Sequence, residues 1–434
     1  MYEDRRLRIV VVGSGYVGTT MAASFADLGH QVTAVDIDED IVEALHAGDA
    51  PIHEPGLADL IERHAGGNLE ASTAYDSLAG ADLVYLAVQT PTDEAGNIDT
   101  TALETAARMS GEAIADQPPA ERPVIVIKST VTPPHVETIR AAAAAGAGDE
   151  TLEVAMNPEF LREGSAVSDF REPDKLVFGT SSQRGDDMLT AAFEPIIEAT
   201  NPVVIRTDPD TAAMIKYANN AFLAAKISLI NDLGNICKEF GIDAYEVADA
   251  IGADDRIGEQ FLRSGVGWGG SCFPKDVRAI IQAATAAGYR PAVLEAAVAV
   301  NAEQPARMLE LLDEHVDVED QRVAVLGLAF KPGTDDVRNS RAIPLIKGLQ
   351  ERGANVVAYD PVASEEMQAR IPEIEYAKSA ARALDGAVGA LIVTAWDEFE
   401  TLDDAFDAMD RQLVVDGRRV IEPRPGMTYE GLTW

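Results

Sequence analysis

The sequence predicts an α/β protein in which two doubly wound parallel-sheet units are joined by a central all-helical segment. Three observations carry this. Short apolar runs alternate with helical patterns as far as Asp208. Strand signals then vanish until about Arg307, while long helical patterns persist. Strand signals return at QRVAVLGLAF, NVVAYDP, GALIVTAW and QLVVDGR. At 434 residues the chain suits two or three domains, and these breaks place them at 1–207, 208–307 and 308–434.

In chain order, Leu7–Val12 reads as a buried strand, because it is a continuous run rich in β-branched residues. A helix from about Gly15 to Leu28 follows, ended by Gly29, and QVTAVD is a second strand. Further strand-like runs lie at Leu83–Val88, Val124–Lys128 and Glu153–Met156. The segment AAAAAGAG at Ala141–Gly148 reads as a helix end and a loop. TAAMIKYANNAFLAAKISLINDLGNICKEFG is too long a helical span to be a linker. A weak repeat is visible: LRIVVVGSGYVG resembles RVAVLGLAFKPG, and the strand ending at Asp36 resembles the one ending at Asp360. The second copy keeps only Gly327, so the halves are expected to share a fold and bind different ligands.

The formal net charge is −38. That argues against nucleic acid or an anionic membrane surface as the main partner. The acids are scattered, only about nine of the basic residues are lysines, and alanine is abundant. The pattern is that of a salt-adapted protein from a halophile, in which molar salt shrinks the Debye length to about 3 Å and screens self-repulsion. With 47 % apolar residues there is ample material for cores. No apolar run is long enough to span a bilayer. The start, MYEDRRLRIVVVGSG, lacks a leader plan, since its apolar stretch runs straight into a glycine turn. Two cysteines make no disulfide framework and fit a reducing cytoplasm. The six histidines show no zinc-ligand spacing, so no metal site is expected.

Gly13, Gly15 and Gly18 form G-x-G-x-x-G between a strand and a helix. Gly13 permits the tight turn, Gly15 lets a pyrophosphate approach the backbone, and Gly18 lets helix and strand pack closely. Tyr16 and Val17 open the helix, whose free N–H groups face the phosphates. Asp36, at the end of the next strand, can accept from ribose hydroxyls and would repel a 2′-phosphate. This predicts a Rossmann-like domain that binds NAD rather than NADP.

GVGWGGSCFPKDVRAI concentrates the chemistry. Its glycines let the backbone lie close to a ligand, and Pro274 suits the first turn of a helix. Cys272 then stands at or just before that helix N-terminus, where a thiolate is favoured. Asp276, one turn on, is placed to handle protons or orient a water. Cys237, on an amphipathic helix, reads as core packing. Lys216 and Asn220 share one helix face by their spacing. They are either a solvated polar face or a pair that stabilises oxyanions.

The fingerprint, VQTPT, KSTV, NPEFLREG, KYANN, GGSCFPKD, FKPGTDDVR and DGR occur in that order and span nearly the whole chain. Together they resemble the UDP-glucose dehydrogenase family of nucleotide-sugar dehydrogenases. The resemblance implies a double oxidation of a primary alcohol at sugar C6 to a carboxylate, using two NAD. Cys272 matches the thiol that forms a thiohemiacetal and then a thioester. It implies that Lys216 and Asn220 stabilise oxyanions, that Thr130 and Glu163 hold or activate water near the sugar, and that Asp276 handles protons. Thr92, Thr130, Glu163 and Arg338 match cofactor contacts. Glu159, Phe160, Leu161, Arg162, Lys216, Asn220, Gly269, Lys331 and Arg418 match substrate contacts. Arg256 matches an arginine that reaches the sugar site from a neighbouring subunit, which makes a homodimer or higher homo-oligomer the expected state, formed through the helical segment. Ser271 before the cysteine speaks for UDP-glucose over acetylated sugars, where histidine is more usual, and separates GDP-mannose less well. A two-electron dehydrogenase of the 6-phosphogluconate or hydroxyacyl type needs no cysteine, and a non-catalytic NAD-binding regulator needs none of these side chains. The uronic acid product implies a place in surface polysaccharide synthesis or glycosylation.

Overall fold

The computed structural model describes residues 6–93 and 95–434; Met1–Arg5, where the absence of a leader plan was partly read, lie outside them. The chain packs as two compact units. One comprises the residues up to Asn219 with Arg278–Ala287, the other Asn220–Val277 with Gly288–Trp434.

The first unit is built on an eight-stranded sheet. Across it run Leu69–Ser72, Gln31–Val35, Arg8–Val12, Leu83–Leu86, Val124–Ile127, Val154–Met156, Lys175–Gly179 and Val203–Thr207. All neighbours are parallel except the single antiparallel pairing of Met156 with Gly179. The pleat sends Ile9 and Val11 into one core and Val10 and Val12 into the other. Both faces are covered, which is why the sequence shows an unbroken apolar run rather than alternation.

The second unit has a six-stranded parallel sheet: Glu375–Tyr376, Asn355–Tyr359, Arg322–Leu326, Gly389–Ile392, Leu413–Asp416 and Thr428–Gly431. In chain order both sheets wind identically over their first six strands. The likeness extends to the turns: Gly13 N–H donates to Val35 O (2.8 Å) and Gly327 N–H to Tyr359 O (2.9 Å). The repeat read from the sequence is thus a repeat of winding and of turn geometry.

Between Thr207 and Arg322 the described residues contain no strand. They form the helices Pro209–Glu239, Ala244–Gly252, Cys272–Ala286 and Ala292–Asp313.

Two sequence expectations change. Ala141–Gly148 is helix through Ala147, with Gly148 as its left-handed cap (φ +61°). Alanine is the best helix former, and this stretch packs on the helix Thr101–Ala113: a Cβ on Gly146 would lie 2.1 Å from Arg108 O. Five short strands escaped the sequence reading, namely Leu69–Ser72, Lys175–Gly179, Val203–Thr207, Glu375–Tyr376 and Thr428–Gly431. Asn157–Gly164 is irregular throughout, so Glu159 and Glu163 do not share a helix face.

Candidate active site

The cofactor turn is built by sterics. Gly13 has φ +96°, and a Cβ there would lie 2.7 Å from Ala87 O. A Cβ on Gly18 would meet Gly13 O, so the helix Tyr16–Asp27 starts hard against the strand end. Gly15 differs, since its nearest neighbour would be Gln89 Nε2 at 3.8 Å. The backbone there is open on the side a pyrophosphate must approach, with Tyr16 and Val17 supplying helix N–H groups. Asp36 follows its strand as expected. Its Oδ2 accepts from Ser14 N (2.5 Å) and its Oδ1 from Asp38 N (3.0 Å). Two such contacts leave acceptor capacity for ribose hydroxyls. The turn therefore fits a dinucleotide. The corresponding Asp360 does not: its Oδ2 takes Leu328 N, Ala329 N and Trp396 Nε1, and its Oδ1 takes Val362 N and Ala363 N. It is a buried strut with its lone pairs filled.

Also in the first unit, Thr130 O accepts from Thr90 Oγ1 (2.8 Å), and Thr92 bridges to Ile98. The loop after Val154–Met156 brings a buried ionic cluster together. Lys216 Nζ donates to Glu159 Oε1 (2.7 Å), with both side chains under one-tenth exposed. Glu159 Oε2 accepts from Leu161 N (2.6 Å). Lys175 and Lys216 lie over the Phe160 ring, 4.3 and 5.5 Å from its centroid. Arg162 is exposed and pairs with Asp169. Glu163 directly precedes Gly164, whose φ is +83°.

Sequence reasoning missed Lys128. It is buried and donates to Asn157 Oδ1 (3.0 Å). Burial pushes its amine down to about 7, Glu159 works against that, and the charge of Lys216 adds to it. The usable signal was a lysine directly after the buried run VIVI.

In the second unit Cys272 is the exposed first residue of the helix Cys272–Ala286, with Ser271 Oγ at 3.6 Å from its sulfur. Asp276 is 1 % exposed. Asn220 Nδ2 donates to its Oδ2 (2.6 Å), and Lys275 Nζ lies 2.8 Å from Oδ1. The glycine segment before Cys272 is gripped by side-chain amides. Asn301 donates to Trp268 O and accepts from Trp268 N, Gln304 donates to Gly265 O, and Asn231 accepts from Gly265 N. Arg418, half-buried, donates to Gly267 O (2.9 Å) and Val393 O (2.8 Å). A Cβ on Gly269 would lie 2.3 Å from Asn339 O, and one on Gly270 2.8 Å from the Phe330 ring. The glycines are thus required by close packing, and they fix where Cys272 begins its helix. Lys331 lies 5.6 Å from the Phe330 ring centroid. Arg338 pairs with Asp336, and Arg256, 88 % exposed, with Asp254. Cys237 is buried, in keeping with core packing. Asn220 stands one turn after Lys216 on the helix Pro209–Glu239.

Three family models match the chain. The NAD binding domain of the UDP-glucose/GDP-mannose dehydrogenase family covers residues 7–197, its central domain 210–303 and its UDP binding domain 324–423. The chain is 55 % identical to the UDP-glucose 6-dehydrogenase AglM of Haloferax volcanii, covering 98 % of this chain and all of that one. It is 38 % identical to the UDP-glucose 6-dehydrogenase TuaD of Bacillus subtilis, covering 95 % and 89 %. The solved UDP-glucose dehydrogenase of the hyperthermophilic archaeon Pyrobaculum islandicum superposes with a TM-score of 0.92 at 38 % identity, covering 100 % of this chain and 99 % of that one. A cofactor turn open at Gly15, a cysteine that opens a helix above a buried aspartate, and these full-length likenesses converge: the chain belongs to the UDP-glucose/GDP-mannose dehydrogenase family, whose members are NAD-dependent oxidoreductases.

Proposed function

We propose that this protein oxidises UDP-glucose to UDP-glucuronate in two steps, with Cys272 as the covalent nucleophile. The observation that carries the reading is Cys272, exposed at the first turn of a helix whose next turn holds the buried Asp276 on Asn220. NAD, when bound, accepts the hydride of each oxidation. The first oxidation turns the C6 alcohol into an aldehyde. The Cys272 thiolate adds to the aldehyde carbon, giving a thiohemiacetal whose oxyanion is stabilised by Lys216 and Asn220. The second oxidation gives a thioester. Water held by Thr130 and Glu163 attacks the thioester carbon, the C–S bond breaks to expel the Cys272 thiolate, and C6 is left as the carboxylate, with Asp276 handling the proton. Gly13, Gly15, Tyr16, Val17, Gly18, Asp36, Thr92 and Arg338 are assigned to the cofactor. Phe160, Leu161, Arg162, Gly269, Lys331 and Arg418 are assigned to the nucleotide sugar. Residues 1–207, 208–307 and 308–434 are the cofactor, helical and UDP-sugar segments of this reading.

The test is NADH yield per limiting UDP-glucose in molar KCl. Two NADH per sugar with a uronic acid product is the expected result. One NADH would overturn the thioester route, and turnover of GDP-mannose alone would overturn the substrate. The acidic composition supports a salt requirement and a cytoplasmic, halophilic setting, so activity is expected to fall on transfer to low salt.

The helix Pro209–Glu239 and the residue after it support a homodimer. Phe222, Leu229, Leu233, Ile236 and Phe240 recur at helical spacing and are exposed, Phe222 and Phe240 by 72 % and 73 %. A stripe of that kind is an unburied helix face. Phe222→Asp with Leu229→Asp is expected to yield monomers in light scattering. Because Arg256 is assigned to the partner's sugar site, the monomer should lose activity; a fully active monomer would refute that assignment.

A further inference from the structure

Glu54 has no role in the chemistry above, yet it is 5 % exposed and carries a carboxylate. It lies in the loop before the helix Leu57–His64. Its Oε1 accepts from Ala166 N (2.7 Å). Its Oε2 accepts from Gly164 N (2.8 Å) and from the Tyr16 hydroxyl. Gly164 N also approaches the Tyr16 oxygen (3.2 Å). One buried carboxylate thus joins three segments far apart in sequence. Tyr16 belongs to the cofactor turn, Glu54 to a loop of its own, and Gly164 and Ala166 end the loop that carries Glu159 and Glu163. All three partners are neutral donors, so the negative charge is held by hydrogen bonds alone. The Tyr16 hydroxyl stays protonated and donating, since burial and the neighbouring Glu54 raise its pKa far above the ordinary tyrosine value.

We propose that Glu54 is a positioning residue that fastens the Glu159–Glu163 loop to the cofactor turn and thereby sets the hydrolytic half of the reaction. The proposal rests on the function assigned above. Glu163 is one residue from the fastened amide, and a misplacement of about 1 Å in a catalytic group can cost about 10²-fold in rate. A glutamine at position 54 turns an acceptor into a donor facing the backbone N–H of Gly164 or Ala166. Two donors then face one another, and the loop must shift.

Two readouts test this in the intact enzyme in molar KCl. The first is amide hydrogen exchange, which needs no substrate: Glu54→Gln should speed exchange across residues 157–166 and leave the strand Arg8–Val12 protected. The second is pre-steady-state NADH formation with UDP-glucose. The variant should give a burst followed by a steady rate lowered by about 10²-fold, with a sugar adduct on Cys272 visible by intact mass and KM changed little. Tyr16→Phe, which leaves both amide contacts, should shift both readouts the same way by less, and it serves if Glu54→Gln does not fold. Unchanged exchange across 157–166 overturns the fastening. Faster exchange with an unaltered steady rate, or with a rate loss but no burst and no adduct, overturns the catalytic consequence. Wild-type enzyme that forms no NADH from UDP-glucose overturns the assigned function instead, and the exchange result still decides the fastening.

Discussion

Cys272→Ser is expected to lower steady turnover of UDP-glucose by on the order of 10⁴- to 10⁶-fold, the scale seen when a covalent nucleophile is removed from its catalytic unit. A serine hydroxyl is a weaker nucleophile at neutral pH, and an ester is a less activated species for hydrolysis than a thioester. The fold should survive, because Cys272 is exposed and the grip on the glycine segment comes from Asn301, Gln304, Asn231 and Arg418 rather than from the thiol. NAD affinity should be unchanged, since the thiol is not among the groups assigned to the cofactor. Cys237→Ser is the contrast: the buried thiol makes no contribution to the chemistry, so turnover should hold while stability falls by about 1 kcal/mol. Two NADH per sugar at a rate within tenfold of wild type from Cys272→Ser would end the covalent mechanism.

The contrast between the two cysteines was legible in the sequence because each is decided by its immediate neighbours. Glycines before Cys272 and Pro274 after it specify a turn into a helix, and NICKEFG specifies an amphipathic face. The two sheets were legible for the same reason, since strands covered on both faces leave unbroken apolar runs such as VVV and VIVI. Leu69–Ser72 was not, because LEAS lacks β-branched residues and is a strand only through its register with Gln31–Val35. Val203–Thr207 pairs on one side only and exposes Val203, so its pattern is weak. The site divides along the same line. The fingerprint and the cysteine segment are contiguous. The cluster of Lys128, Glu159 and Lys216, the Glu54 fastening and the amides that hold the glycine segment are assembled from segments far apart in the chain. No local period announces them. Glu163 shows the limit from the other side: it stands four residues after Glu159, a helical spacing, yet the backbone of Asn157–Gly164 is irregular.

Lys216→Met is expected to have the second large effect, on two observables that separate. Loss of an oxyanion donor should lower kcat by about 10²- to 10³-fold. Stability should suffer less than the pairing suggests. Breaking a buried ion pair usually costs about 3–5 kcal/mol, because the remaining charge is left without a partner. Here Lys128 stands beside the same carboxylate, its amine pushed down to about 7 by burial and by the charge of Lys216. With Lys216 gone the like charge is gone, Lys128 takes up a proton at neutral pH, and Glu159 keeps a cation. The cost should fall to about 1–3 kcal/mol, and Lys128→Met added to Lys216→Met should restore the larger penalty, a coupling of about 1 kcal/mol or more. The pH dependence fixes the sign. In the native wild type Lys128 binds its proton near pH 7, whereas in the unfolded chain a lysine does so near about 10.4. Between those values the unfolded state holds more protons, so this group makes stability rise with pH, and its cost is fully present below pH 7. Raising the native value in Lys216→Met narrows that window. Denaturation in molar KCl at pH 7 and pH 9 should therefore show a smaller rise in stability for Lys216→Met than for wild type. An equal rise in both would mean that Lys128 does not respond to Lys216, and the compensation argued here would be wrong.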